Sequence, residues 1–228
     1  MSIKNHPKYK LLDEIETWVF DLDNTLYPSN SKLFDQVSKR IGLYISKNLN
    51  IPITEARIIQ KDFFHKYGTT LRGLMLEHKI NPDEFLAYVH DIDFSTLSLA
   101  NDLDNALNNI DGRKIVFTNA DSSYASKVLI QLGLENHFSE IFDIVAADYI
   151  PKPNPEAYKI FIKKHDFDPN TAIFFEDILR NLGPAKEMGM TTVWIKNNDT
   201  WALPGSDGVE AHYQTKNLGV WLNSISTS

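Results

Sequence analysis

The amino-acid sequence predicts an α/β fold: a Rossmann-like, doubly wound parallel sheet of about five strands with an inserted α-helical cap subdomain. Short apolar runs alternate along the chain with helical patterns, which is the order of elements in such a sheet. The runs do not alternate apolar with polar residues, so we expect helices to cover both faces of the sheet. One long interval, residues 21–113, contains no convincing strand, and the helical insertion is predicted there.

Five apolar runs are the predicted strands. They are TWVF (17–20), KIVF (114–117), DIVAA (143–147), AIFF (172–175) and TVWI (192–195). Two helices between them carry terminal signals. SYASKVLIQLG should end at Gly133, and NPEAYKIFIKKH should begin with Asn154 as N-cap and Pro155 as its first residue. A final helix is expected to return to the core with the apolar residues Leu218, Val220, Trp221 and Leu222.

The predicted insertion contains several amphipathic helices. Residues 31–49 carry one apolar face, residues 54–67 follow and stop at Gly68, and a third helix begins with Asn81 as its cap. We therefore assign residues 30–101 to a helical cap. Residues 1–29 and 102–228 form the predicted α/β core, with hinges near residues 28–30 and 95–101.

Composition and charge exclude several classes of protein. The chain has 228 residues, 43% hydrophobic and 23% charged, as expected of a globular protein with a substantial core. A net charge of -7 disfavours nucleic acid or an anionic membrane as partner. The sequence has no cysteine, which excludes disulfides, thiolate metal sites and cysteine nucleophiles. Neither an apolar leader nor a membrane-length apolar run is visible, so we expect a cytoplasmic protein.

Polar residues follow four of the five predicted strands. They are Asp21 and Asp23 after the first, Thr118 and Asn119 after the second, Lys152 after the third and its loop, and Glu176 and Asp177 after the fourth. Because parallel strands end at one edge of a sheet, where ligands bind, we expect these side chains to meet. Turn formation or helix capping explains any one pair equally well, but explains all four together less readily.

The predicted edge carries an excess of negative charge. Four carboxylates face a single cation, Lys152. At about 5 Å and an effective dielectric near 20, each pair of like charges costs roughly 3 kcal/mol. A divalent cation with oxygen ligands relieves this repulsion, and Mg²⁺ suits a site that keeps positions open for water and phosphate. The sequence therefore predicts a magnesium site.

Four motifs at this edge resemble those of the haloacid dehalogenase-like hydrolase superfamily. They are FDLDNTLY (20–27), FTN (117–119), PKPNPEAY (151–158) and FFEDILRN (174–181). Their order and spacing match the family, and the helical insertion falls where the family has its cap. The stretches WVFDLDNTLYPSNSKLFDQV, YGTTLRGL, YVHDID and DIVAADYIPKP are further similar to bacterial pyrimidine 5'-nucleotidases. The chain departs from the pattern at Ile178, where many relatives carry serine, and at Ala120, where glycine is frequent.

The resemblance implies a Mg²⁺-dependent phosphatase that works through an aspartyl-phosphate. Asp21 is then the nucleophile, and Asp23 protonates the leaving oxygen and later deprotonates the attacking water. An aspartate at position 23 favours phosphoryl transfer over dehalogenation, which does not need a proton donor there.

The resemblance also implies the binding residues. The metal ligands are Asp21, the backbone carbonyl of Asp23, and Asp177, with Glu176 bound directly or through water. Thr118 and Asn119 would hold phosphate oxygens, and Lys152 would face Asp21 and the phosphoryl group.

We expect the substrate to be a small phosphate monoester, foremost a nucleoside 5'-monophosphate. The alternatives are a sugar-phosphate phosphatase or phosphomutase of the same superfamily, and a non-catalytic module that retains the phosphate site. Arg72 in the cap either contacts the substrate or forms a surface ion pair. Tyr27 and Tyr67 either stack on a base or serve packing.

Overall fold

The computed structural model describes residues 14–197 and 203–226 of the chain. Its strands are β1 (Thr17–Phe20), β2 (Arg113–Phe117), β3 (Glu140–Phe142), β4 (Ala172–Glu176), β5 (Thr191–Ile195) and β6 (Tyr213–Thr215). They form one sheet in the order β3-β2-β1-β4-β5-β6, and every neighbouring pair is parallel. The chain winds outward from β1 in both directions, so the predicted doubly wound α/β fold is confirmed.

Helices pack around this sheet. Those in the described ranges are α1 (Leu33–Leu49), α2 (Ile53–Tyr67), α3 (Thr70–His78), α4 (Pro82–Val89), α5 (Asn101–Asn108), α6 (Ser122–Leu132), α7 (Pro155–His165), α8 (Leu182–Glu187) and α9 (Leu218–Ser226). The first four lie within the predicted cap and pack on one another. The limits of the cap at residues 30 and 101 remain a prediction. None of the described helices has the length and apolar composition needed to cross a bilayer.

Hydrophobic side chains cover both faces of the sheet, as the unbroken apolar runs predict. Phe20 packs on one face, where its ring stacks on Phe175 with 4.8 Å between centroids. Val19 and Phe174 pack on the opposite face with α7. All four residues of β1 are buried. The central strand is therefore fixed on every side, which gives the residue that follows it a defined position.

The strand ladder continues to the first residues beyond the strands. The Asp21 amide donates to the Phe175 carbonyl at 2.9 Å, and the Thr118 amide donates to the Phe142 carbonyl at 3.0 Å. Asp21 and Thr118 thus begin the loops at the carboxyl edge of the sheet with their backbones held.

The helix signals in the sequence are confirmed. The side chains of Asn81 and Asn154 accept hydrogen bonds from backbone amides in the first turns of α4 and α7, and each helix begins at the following proline. Gly133 ends α6 with a φ of 72°, in the left-handed region that favours glycine. In α9, Leu218, Trp221 and Leu222 are buried, but Val220 is 66% exposed and does not reach the core.

Two strand predictions are corrected. Residues 143–147 form turns, and the third strand is Glu140–Phe142, just before them. Asp143 ends this strand because its carboxylate accepts hydrogen bonds from the Ser122 and Ala146 amides, both at 2.8 Å. The sheet also has a sixth strand, Tyr213–Thr215, which is too short and too polar to show an apolar run.

Candidate active site

Lys152 lies at the centre of the carboxyl edge and is 1% exposed. Its ammonium donates to Asp21 Oδ1 at 2.8 Å, to Glu176 Oε2 at 2.8 Å and to the Phe117 carbonyl at 2.7 Å. An ammonium group has three hydrogens, so all of its donor capacity is used. The lysine thereby joins the ends of β1, β2 and β4.

The carboxylates around Lys152 are more numerous than the cation can neutralise. Burial raises the pKa of Asp21 to about 7, and the charge of Glu176 adds to the rise. Burial and Glu176 likewise hold the pKa of Asp177 well above its usual value. Burial disfavours the ammonium form of Lys152, but Asp21 and Glu176 outweigh it and raise the pKa of the lysine. Lys152 alone therefore does not balance the buried carboxylates, and a further positive charge would stabilise their ionised forms.

The donor set fits a hard divalent cation. Carboxylate oxygens of Asp21, Glu176 and Asp177 lie within 4.8 Å of one another, and all three residues are buried. Both oxygens of Glu176 already have partners, since Oε2 accepts from Lys152 and Oε1 accepts from the Ile178 amide at 3.1 Å. Asp21 and Asp177 therefore offer the more available oxygens. Oxygen ligands at a site that opens to a cavity match the preference of Mg²⁺.

Thr118 and Asn119 border the same site, and their side chains hold its loops. The Thr118 hydroxyl accepts from the Ala120 amide at 3.0 Å. Asn119 Oδ1 accepts from the Lys152 amide at 2.9 Å, and its Nδ2 donates to the Lys152 carbonyl at 3.3 Å. Asn119 thus fixes the backbone that presents the lysine. The predicted contacts of these two residues with phosphate remain a prediction.

Asp23 lines the same cavity as Lys152, and its carboxylate faces two tyrosines. Tyr124 donates to Asp23 Oδ1 at 2.7 Å, and Tyr27 makes a short hydrogen bond to the same oxygen. Burial raises the pKa of Asp23 in spite of these donors. The side chain of Asp23 is not one of the clustered metal-type carboxylates, and its backbone carbonyl as a ligand remains a prediction.

A cavity of about 400 Å³ extends from these residues toward α1, α2 and α4. The walls contributed by α1 and α4 are largely apolar, with Phe34, Val37, Ile41, Phe85 and Leu86. The wall contributed by α2 is basic, with Arg57, Lys61 and His65 one helical turn apart. A compact anionic group with an organic body matches a cavity that is charged at its floor and partly apolar above.

The weaker candidates lie elsewhere. The cavity lining includes Thr69, Thr70 and Leu71 but not Arg72, and neither Tyr67 nor Tyr27 is in it. Tyr67 bonds to Glu77 within the cap. Tyr27 is 2% exposed, and its hydroxyl bonds to Asp23.

Two residues that shape the site, Tyr124 and Asn197, were not among those predicted from the sequence. Tyr124 lies within α6, and its contact with Asp23 depends on how that helix packs. Asn197 follows β5, and its Nδ2 donates to Asp177 Oδ2 at 3.0 Å. The rule that polar residues follow strands would have found Asn197, had it been applied to the fifth strand. No such rule would have found Tyr124.

Comparison with known proteins assigns the family. The profile of the haloacid dehalogenase-like hydrolases matches residues 15–189, and the chain belongs to this family. The glyceraldehyde 3-phosphate phosphatase of Methanopyrus kandleri is 27% identical over 200 residues, covering 80% of this chain and 84% of that protein.

Solved structures show the same fold. A predicted phosphoglycolate phosphatase from Haemophilus somnus has a TM-score of 0.65 at 17% identity, covering 93% of this chain and 98% of the other. The hydrolase YfnB from Bacillus subtilis, determined with bound magnesium, has a TM-score of 0.62 at 16% identity, covering 93% and 99%. Four curated relatives are matched only in part, since the chain spans between 11% and 60% of their lengths.

Proposed function

We propose that this protein is a Mg²⁺-dependent phosphatase that hydrolyses small phosphate monoesters through an aspartyl-phosphate on Asp21. The observation that carries the proposal is the buried ammonium of Lys152 between Asp21 and Glu176, with Asp177 beside them at the floor of the cavity. This arrangement combines a nucleophilic carboxylate, a fixed cation and a set of oxygen ligands.

The proposed reaction has two steps. The Asp21 carboxylate attacks phosphorus, an oxygen–phosphorus bond forms, and the ester bond breaks as Asp23 gives its proton to the leaving oxygen. Asp23 then takes a proton from water, the water oxygen bonds to phosphorus, and the Asp21–phosphorus bond breaks. Inorganic phosphate leaves, and Asp21 and Asp23 return to their starting states.

The proposed metal ligands are Asp21 and Asp177, with Glu176 nearby and engaged by Lys152. The bound cation supplies charge that offsets the repulsion between a carboxylate nucleophile and a phosphate dianion. Lys152 holds Asp21 in place, and Asn119 holds Lys152 through its backbone. Thr118 and the Asn119 amide are proposed to bind the phosphate oxygens.

We infer that the substrate is a nucleoside 5'-monophosphate, foremost one with a pyrimidine base. The apolar walls of α1 and α4 suit a flat ring above the phosphate site. A phosphatase for a small sugar-type or three-carbon phosphate is the second candidate. It is favoured by the similarity to the glyceraldehyde 3-phosphate phosphatase over most of both chains.

A substrate panel tests the proposal. Nucleoside 5'-monophosphates, sugar phosphates and three-carbon phosphates are incubated with Mg²⁺, and free phosphate and isomerised sugar phosphate are both measured. We expect free phosphate, with pyrimidine nucleotides turned over fastest, and no turnover in excess chelator. An isomerised product without free phosphate indicates a mutase, and no turnover of any ester contradicts the proposal.

A further inference from the structure

We propose that Tyr27 and Tyr124 are positioning residues that fix the proton of Asp23 on the oxygen facing the cavity. The inference rests on the proposed phosphatase function and concerns how its general acid is oriented. Its basis is a pair of buried hydroxyls that bond to one and the same oxygen of the Asp23 carboxylate.

Both tyrosine hydroxyls are placed to donate to this oxygen. Tyr27 is 2% exposed and Tyr124 is 1% exposed, so water does not compete for their hydroxyls. The two hydroxyls also contact each other at 3.4 Å, where either could donate, but each makes a shorter contact with Asp23 Oδ1, which therefore receives their hydrogens. Burial and the charge of Asp23 hold the pKa of each tyrosine well above its usual value, which keeps both hydroxyls protonated.

The number of hydrogen bonds that one carboxylate oxygen can accept decides where the proton of Asp23 lies. Such an oxygen has about two lone-pair sites, and the two tyrosines occupy those of Oδ1. A proton carried by Asp23 must therefore sit on Oδ2. That atom has no hydrogen-bond partner among the described residues, and Asp23 lines the cavity. A general acid has to present its proton to the leaving oxygen, and this arrangement does so.

A second layer holds Tyr124 in place. Its ring stacks on His90 with 4.2 Å between centroids. His90 in turn makes a short contact with Asp121 Oδ2, while Asp121 Oδ1 accepts from the Tyr124 amide at 2.9 Å. His90 directly follows α4 and Asp121 caps α6, so the tyrosine is clamped between the predicted cap and the core. Because the ring and the backbone of Tyr124 are both fixed by these contacts, the residue is better suited to orient Asp23 than merely to fill space in the core.

The test uses two esters that differ in their need for a general acid. A nucleoside 5'-monophosphate has an alkoxide leaving group and needs the proton, whereas p-nitrophenyl phosphate has a weakly basic leaving group and does not. We expect Tyr124→Phe and Tyr27→Phe each to lower kcat/KM for the nucleotide about tenfold or more. The same parameter for p-nitrophenyl phosphate should change less than about twofold, because its phosphorylation step bypasses Asp23.

A matched variant and a double-mutant test separate positioning from folding. Tyr44→Phe removes the hydroxyl of another buried tyrosine, in α1 and away from Asp23, and should leave both substrates unaffected. In an Asp23→Asn background, Tyr124→Phe should cause no further loss with the nucleotide. If one tyrosine variant does not fold, the other still gives the comparison.

The outcomes are distinct. Equal losses for both esters, a further loss in the Asp23→Asn background, or no loss at all would each overturn the positioning role while wild-type hydrolysis still supports the phosphatase. Wild-type protein that hydrolyses neither ester would overturn the proposed function itself, and the positioning role with it. A selective loss with the nucleotide supports the inference.

Discussion

Asp21 and Asp23 are two residues apart, yet they are held by opposite chemistry. Asp21 lies among charges: a buried ammonium donates to one oxygen, and Glu176 and Asp177 crowd the other side. Asp23 receives its hydrogen bonds from neutral groups, with two tyrosine hydroxyls on one oxygen. A nucleophile must be ionised and a general acid must carry a proton. In the proposed mechanism Lys152 and a bound cation would keep Asp21 ionised, whereas Asp23, whose pKa is raised by burial, can carry the proton.

The largest effect is expected from removing the carboxylate of Asp21, which lies among charged groups. Asp21→Asn deletes the nucleophile, and we expect a loss in kcat of at least about a thousandfold, roughly 4 kcal/mol of barrier, for every phosphate ester. Steady-state kinetics with an alkyl and an aryl ester measure this. Asp102→Asn, an isosteric change at an exposed site on α5, is the matched control and should keep wild-type rates. Substantial turnover by Asp21→Asn would refute its role.

Lys152→Met tests whether the ammonium is required to hold the buried carboxylates. The change leaves Asp21 and Glu176 without their shared cation, and we expect a loss in the free energy of unfolding of about 3 to 5 kcal/mol. Without the cation, the folded-state pKa of Asp21 rises further above its unfolded value. Stability is then lost as the pH rises, so urea unfolding should show a larger deficit near pH 8 than near pH 5. A deficit that does not depend on pH would contradict this explanation.

Metal addition should stabilise the protein in a pH-dependent way. The folded pKa of Asp21, about 7, lies above its unfolded value of 3.8, so burial of this carboxyl costs stability increasingly as the pH rises toward 7. The proposed Mg²⁺ would bind the ionised form, so protons should compete with it at low pH. We expect millimolar Mg²⁺ to raise the thermal midpoint by several degrees near pH 8 and by much less near pH 5.5. Asp177→Asn should abolish the effect, and an equal rise at both pH values would count against a carboxylate metal site.

The smallest effect is expected on the neutral side. His90→Phe keeps a ring to stack on Tyr124 but loses the contact with Asp121. We expect a decrease of about fivefold in kcat/KM for a nucleotide, the value of one hydrogen bond near 1 kcal/mol, and little change for p-nitrophenyl phosphate. A loss shared equally by both esters would mean that His90 does not act through Tyr124 and Asp23.

The same comparison explains how far the sequence alone could lead. Four residues were predictable because each lies at the end of a strand or in the loop after it, and parallel strands end at one edge: Asp21, Lys152, Glu176 and Asp177. The sheet itself followed from unbroken apolar runs. The position of a residue at the end of a predicted strand can be read from the sequence, and it predicts where that residue lies in the folded protein.

The neutral side left no comparable signal. Tyr124 lies within α6 and contacts Asp23 only because of the angle at which this helix packs. That angle cannot be read from the pattern of residues. The third strand lies just before the segment predicted for it, for a similar reason. Ile144 and Ala147 are buried although they lie in turns, so apolar composition alone could not distinguish this segment from the strand Glu140–Phe142. Short strands whose formation depends on contacts with neighbouring elements are difficult to predict from a single sequence.

The most direct test of the account is a burst experiment with Asp23→Asn and p-nitrophenyl phosphate. The first step does not need the general acid for this ester, but hydrolysis of the phosphoryl-enzyme needs Asp23 as base. We predict a rapid release of one p-nitrophenolate per protein molecule, followed by slow turnover, with the phosphoryl group recovered on the peptide that contains Asp21. No burst, or a phosphoryl group on any other residue, would contradict the assignment of Asp21 as nucleophile and Asp23 as its acid and base.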